Sequence, residues 1–221
     1  HQQRMQAGVA ATFGGTDDLG RGVGVIAGIG NTHDHHNRVA LVGDALQPLA
    51  FDLLASMPIA PALIVQATQS LARAAGSQGM AGGQAIDLAS VGLPLSEDQL
   101  RQMHRLKTGA LLESSVLMGA ACGQVGAATL QALKDYGAAL GLAFQVVDDI
   151  LDVTADEQAL GKTPGKDAAD NKPTYVSVMG LEQSRDFAQQ LYEAALEAVK
   201  PLGEPACRLR ELAGLIVHRQ S

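Results

Sequence analysis

From Gln124 to Val153 the chain reads as one long helix rich in Ala and Leu, and near its end stands Phe144-Gln145-Val146-Val147-Asp148-Asp149-Ile150-Leu151-Asp152. No other stretch restricts the fold as strongly. An apolar helix of this length has to be enclosed by other helices, yet carboxylates are expensive in such surroundings unless something binds them. At 3.6 residues per turn, Asp148 and Asp152 lie one above the other on a face, with Asp149 beside them. Anionic oxygen donors grouped on one wall suit a hard divalent cation that keeps several waters and bridges to phosphates. Lys162 and then Lys166 follow, so a cationic flap near a metal-loaded carboxylate face reads as a diphosphate site. The neighbours of the aspartates are mostly apolar, which fits a solvated acidic helix face poorly.

The composition predicts helix throughout. Hydrophobic residues make up 47% of the 221, Ala and Leu dominate, and Trp is absent; that balance favours helix over sheet, and the length allows one substantial core. The expected fold is all-α, a bundle of long helices around a central apolar cavity. A formal net charge of -7 argues against nucleic acid as a partner, because phosphate backbones need clustered Lys and Arg. Cys122 and Cys207 stand alone in helical contexts, which suits a reducing, cytoplasmic setting rather than a disulfide framework. No signal peptide is expected, and charged or polar residues interrupt every apolar run before it reaches the length of a membrane span.

Two regions are expected. Residues 1–36 are a Gly-rich segment: Gly8, Gly14, Gly15, Gly20, Gly22, Gly24, Gly28 and Gly30 crowd it, and glycine at that density is poor helix material and predicts flexibility. Residues 37–221 form the helical domain. Its predicted helices run from Arg38 to Ser56 with a kink at Pro48, Pro61 to Ala75, Gly79 to Ser90, Ser96 toward Gly119, Gln124 to Val153, Thr174 to Met179, Leu181 to Val199 and Glu204 to Val217. Ser96-Glu97-Asp98-Gln99 is a capping-box start. Ala155 to Asn171 reads as a polar loop.

Smaller signals surround the acidic helix. Lys107-Thr108-Gly109 places an ammonium beside a hydroxyl, next to a residue that permits local distortion. Gln84 and Asp87 share a face of the preceding helix, and Asp44 is a carboxylate in an apolar stretch. Gly22-Val23-Gly24-Val25-Ile26-Ala27 fits a dinucleotide pattern, but no strand precedes it. His33-Asp34-His35-His36 reads as an incidental metal binder, and His104 and His218 as structural histidines.

Taken in order, these pieces resemble the trans-isoprenyl diphosphate synthases of the short-chain farnesyl and geranyl type, over about residues 38 to 221. The matching segments are Val42-Gly43-Asp44-Ala45-Leu46, Gly83-Gln84-Ala85-Ile86-Asp87-Leu88, His104-Arg105-Leu106-Lys107-Thr108-Gly109-Ala110-Leu111, Phe144-Gln145 through Asp152, Leu160-Gly161-Lys162-Thr163 with Gly165-Lys166-Asp167, and Lys172-Pro173-Thr174-Tyr175. The resemblance implies an isoprenoid-synthase bundle, a homodimer, and Mg²⁺-dependent condensation of isopentenyl diphosphate with an allylic diphosphate. It implies that Asp148, Asp149 and Asp152 hold Mg²⁺ against the allylic diphosphate, and that Lys107 and Lys162 contact that diphosphate. It also implies that Thr108 and Gln145 turn oxygen dipoles toward an allylic cation. Arg21 and Lys166 complete the expected substrate-binding set.

The chain departs from the family upstream. Where a first aspartate-rich motif followed by an Arg pair is expected, it reads Gly14-Gly15-Thr16-Asp17-Asp18-Leu19-Gly20-Arg21-Gly22, so the leading Asp pair is absent and only Arg21 remains of the arginines. This segment is expected to be an aberrant start, a diverged version or an incompletely represented one. With half of a metal clamp degenerate, impaired turnover is expected. The alternative is a non-catalytic relative or truncated product that binds diphosphate or a partner subunit.

Overall fold

Ala- and Leu-rich stretches with helical spacing become helices wherever the computed structural model describes them, which is the backbone of residues 35–158 and 173–219 and the side chains of 43–154 and 173–219. The chain divides after Pro58. In the first unit the described part is α1 (His35–Ala55), with Pro48 inside it. Of the expected Gly-rich segment 1–36, only His35 and His36 are described, as the start of α1; the rest lies outside the described residues.

The second unit holds α2 (Pro61–Ala75), α3 (Met80–Ala89), α4 (Glu97–His104), a π-helical turn (Arg105–Gly109), α5 (Ala110–Cys122), α6 (Ala127–Gln158), α7 (Tyr175–Met179), α8 (Leu181–Val199), two short 3₁₀ turns and α9 (Cys207–Val217). No strand occurs among the described residues. Helix α6 is the axis, packed against α8, α5 and α9. Most of its large buried side chains fall into two clusters. Leu133, Tyr136 and Leu140 meet Ala195, Val199 and Ala213; further along the helix, Val146 and Val147 meet Leu100, Met103, Tyr175 and Ala188. The second cluster lies directly behind the acidic motif. The Tyr136 hydroxyl donates to the Leu209 carbonyl at 2.7 Å, fastening α9 to α6.

Several boundaries differ from expectation. The helix starting at the Ser96 capping box, which is present as expected, does not run unbroken to Gly119: Arg105–Gly109 is π-helical. Helix α6 begins after Gln124, whose φ of 50° lies outside the helical region, and continues past Val153 to Gln158 because Ala155, Glu157 and Gln158 are good helix formers. Glu204 to Val217 opens with a 3₁₀ turn before α9.

The π turn sits among close tertiary contacts that periodicity does not carry. A Cβ on Gly141 of α6 would lie 2.7 Å from the Gly109 Cα, and a Cβ on Gly83 of α3 would collide with the Lys107 backbone nitrogen. Two glycines thus let two helices close on the backbone of one short segment. Gly141→Ala is expected to destabilise by about 2–3 kcal/mol, since the obstruction is backbone and has no rotamer to yield. Gly119→Ala, on α5 with nothing within 4 Å of its Cβ position, should instead stabilise by about 0.4–1 kcal/mol. Urea midpoints of the two variants test this; equal effects would remove the packing explanation.

Candidate active site

Lys107 and Thr108 lie on the π turn, and each is tied to a different helix. The Lys107 Nζ donates to Asp87 Oδ2 of α3 at 2.7 Å. The pair is asymmetric: the Asp87 side chain is 6% exposed and that of Lys107 30%. The carboxylate is sunk in protein, while the ammonium reaches the surface with donors left to offer.

Thr108 faces α6. Its Oγ1 donates to Gln145 Oε1 at 3.1 Å, Gln145 Nε2 donates to Asp149 Oδ1 at 3.2 Å, and the Tyr175 backbone N–H donates to Asp149 Oδ2 at 2.8 Å. The direction of this chain follows from its ends. A carboxylate and a carbonyl-type oxygen only accept, so Gln145 turns its amide nitrogen to Asp149 and its oxygen to the hydroxyl. Asp149 is thereby a junction between the π turn, α6 and the start of α7, and it is 3% exposed.

The acidic motif is accordingly not one uniform wall. A step of about 100° per residue turns Asp149 inward, while Asp148 on the outer side has a side chain 56% exposed and pairs with Arg219 Nη2 at 2.8 Å. Asp152, one turn beyond Asp148, is half-buried. Among the described residues no three His, Cys, Asp or Glu side chains converge into a metal cage. Lys162, Lys166 and Arg21 lie outside the described residues. A cavity of about 440 Å³ between α2, the π turn and α5 is lined by Gln69, Arg73, Arg105 and Glu113 among others, but not by Lys107, Thr108, Gln145, Asp148 or Asp152.

His104 ends α4 beside this network. It is buried, stacks on Tyr175 with ring centroids 5.5 Å apart, and neither ring nitrogen has a hydrogen-bond partner. Nε2 stands 4.0 Å from Asp149 Oδ2; burial first, and then the Lys107 charge, bring the pKa down to about 4 against the opposing pull of the Asp87 carboxylate. The native imidazole is therefore neutral at pH 7, as a structural histidine should be. Below the unfolded value near 6.5, the unfolded chain takes up a proton that the native ring refuses. Stability contributed by His104 is thus full above pH 6.5 and falls as pH drops toward 4, by up to about 3 kcal/mol. In His104→Leu the difference in unfolding free energy between pH 7 and pH 4 should shrink by that amount; an unchanged difference would show that the ring titrates normally.

The sequence reading singled out Asp87, Lys107, Thr108, Gln145 and the three aspartates, and the structure joins Asp87 to Lys107 and Thr108 through Gln145 to Asp149. It missed Arg219 and the Tyr175 N–H. The first has no local signal, and a backbone donor is invisible to a search for side chains.

The fold and site define a helical-bundle protein with an acid-bearing axial helix faced by a Lys-Thr pair. The family model for polyprenyl synthetase matches residues 29–204, and the chain belongs to that family. It is 53% identical over 177 residues to a probable farnesyl diphosphate synthase of Bradyrhizobium diazoefficiens, covering 78% of this chain and 53% of that protein. It is 43% identical over 186 residues to the farnesyl diphosphate synthase of Escherichia coli, covering 81% of this chain and 62% of that one. Among solved structures it is similar to a geranyltransferase of Helicobacter pylori complexed with magnesium and isoprenyl diphosphate, with a TM-score of 0.67, 33% identity, and coverage of 82% of this chain and 59% of that one. The chain thus spans about half the length of the curated relatives it matches. Among the described residues no helix is long and apolar enough to cross a membrane.

Proposed function

We propose that this protein is a cytoplasmic, homodimeric prenyltransferase that condenses isopentenyl diphosphate with an allylic diphosphate. The observation that carries the reading is the chain Thr108–Gln145–Asp149 beside the Lys107–Asp87 pair. It sets oxygen dipoles next to a partly exposed ammonium, which a reaction separating an anionic leaving group from a carbon cation requires. Family membership and the names of the relatives support the same reaction.

The donor set fits Mg²⁺. This ion is bound through one or two carboxylates, with waters and substrate phosphate oxygens completing its shell, rather than by an all-protein cage. Asp148 and Asp152, one turn apart on α6, offer that pair of oxygen ligands, and Asp149 adds its charge from behind them. Held there, Mg²⁺ would supply charge neutralisation for a leaving diphosphate. Lys107 holds the diphosphate with the N–H groups that Asp87 leaves over, and Lys162, Lys166 and Arg21 are assigned to the same anions. As the allylic carbon–oxygen bond breaks, its electron pair leaves with diphosphate. Thr108 Oγ1 and Gln145 Oε1 then face the positive carbon. The double bond of isopentenyl diphosphate forms the new carbon–carbon bond, and the proton then lost passes to an oxygen of the released diphosphate. The apolar cluster behind Val146 and Val147 keeps water from that side.

A radiolabelled condensation assay with isopentenyl and dimethylallyl diphosphates plus Mg²⁺, beside thermal unfolding with Mg²⁺ and inorganic diphosphate, tests this. Mg²⁺ with diphosphate should raise the melting temperature of the wild type, and Asp148→Ala should abolish that rise. Equal stabilisation of both proteins would sink the metal assignment. Stabilisation without product would favour the diphosphate-binding, non-catalytic alternative.

A further inference from the structure

Asp148 already has a cation. Arg219 Nη2 donates to Asp148 Oδ1 at 2.8 Å and to the Phe144 carbonyl at 3.3 Å, and its guanidinium carbon stands 4.3 Å from the centre of the Phe144 ring. The side chain is 21% exposed, and its Nε is buried with no partner. Three separate contacts thus lay the far end of the chain along one turn of the acidic helix, and one of them uses a carboxylate assigned above to the metal.

We propose that Arg219 is a latch on Asp148, which a divalent cation must displace to load the site. The inference rests on the metal assignment of Asp148. Arginine's planar head suits this seat, since it stacks on the ring while its edge hydrogen-bonds the carboxylate. The same seat is unfavourable once a divalent cation shares that carboxylate, because two positive charges then lie within a few ångströms of each other. The orphaned Nε marks a guanidinium held at this position by its edge and face rather than by a full set of hydrogen bonds. Metal loading and latch release are then one equilibrium, and each weakens the other by the same factor.

The probe is Mn²⁺ alone, with free ion counted by electron paramagnetic resonance, on the wild-type chain, Arg219→Gln, Phe144→Leu and Asp148→Ala. Arg219→Gln should bind Mn²⁺ about fivefold more tightly than wild type, equivalent to about 1 kcal/mol. Phe144→Leu removes the stacking platform and should shift affinity in the same direction; it carries the test if Arg219→Gln does not fold. Asp148→Ala should lose this binding. If Asp148→Ala binds as wild type does, the metal assignment fails. If Asp148→Ala loses binding while the folded latch variants bind no more tightly than wild type, the assignment stands and the latch is overturned.

Discussion

Lys107→Met should destabilise the protein by about 3–5 kcal/mol, a large fraction of the stability of a domain this size. The loss comes less from the lysine than from what it leaves behind: the Asp87 carboxylate, buried on α3, with no counter-charge. Such a group is uncompensated in a medium that solvates it poorly. The double variant Asp87→Leu/Lys107→Met should recover much of the loss, because apolar residues of similar volume often replace a buried ion pair at little cost. A double-mutant cycle from urea denaturation reads the coupling. Additive single effects would mean that the 2.7 Å contact contributes nothing to folding. The same lysine is assigned to the diphosphate, so its removal should also weaken diphosphate binding in whatever fraction remains folded.

Asp149→Asn is the second large effect, and it should separate folding from chemistry. The new amide oxygen can still accept from the Tyr175 N–H, so the α6–α7 junction survives and stability falls by no more than about 2 kcal/mol. Its NH₂ group then confronts the Gln145 NH₂, and two donors cannot pair. Gln145 resolves the conflict by flipping, which turns its nitrogen toward Thr108 and reverses the dipole facing the proposed allylic cation. Turnover should drop about a hundredfold, the scale of losing one oriented dipole at a charged transition state, with KM little changed. Asp149→Ala should behave differently, unfolding readily because the buried Tyr175 N–H loses its acceptor. Near-wild-type turnover by Asp149→Asn would show that Gln145 is not oriented by this carboxylate.

Sequence reading located the helices because each buries one face, and that burial is written as periodicity. The capping box at Ser96, the helix from Leu181 to Val199 and the axial helix through Asp152 are local patterns of this kind. It also picked out the chemically costly residues, since a carboxylate in an apolar helix or a lysine beside a hydroxyl stands out against its neighbours. The three aspartates, Lys107, Thr108 and Gln145 were legible for that reason, and their order along the chain pointed to the family.

The partners of those residues were decided only by the tertiary structure. Periodicity places Asp148, Asp149 and Asp152 together because it knows the spacing of a helix but not which side its neighbours cover. Once α7 and α8 lie against α6, Asp149 becomes an interior junction bonded to a backbone N–H from 26 residues away, while Asp148 stays outside and takes Arg219 from 71 residues away. The contacts around the π turn at Lys107 are tertiary in the same way. Glycines on two other helices let those helices close on its backbone, where a Cβ at either position would collide. What the sequence determined by itself was therefore local free energy: helix propensity, the burial of apolar faces, and the unusual cost of particular charges. What only the tertiary structure determined was the pairing of those charges, because that depends on distances between segments that no local pattern records.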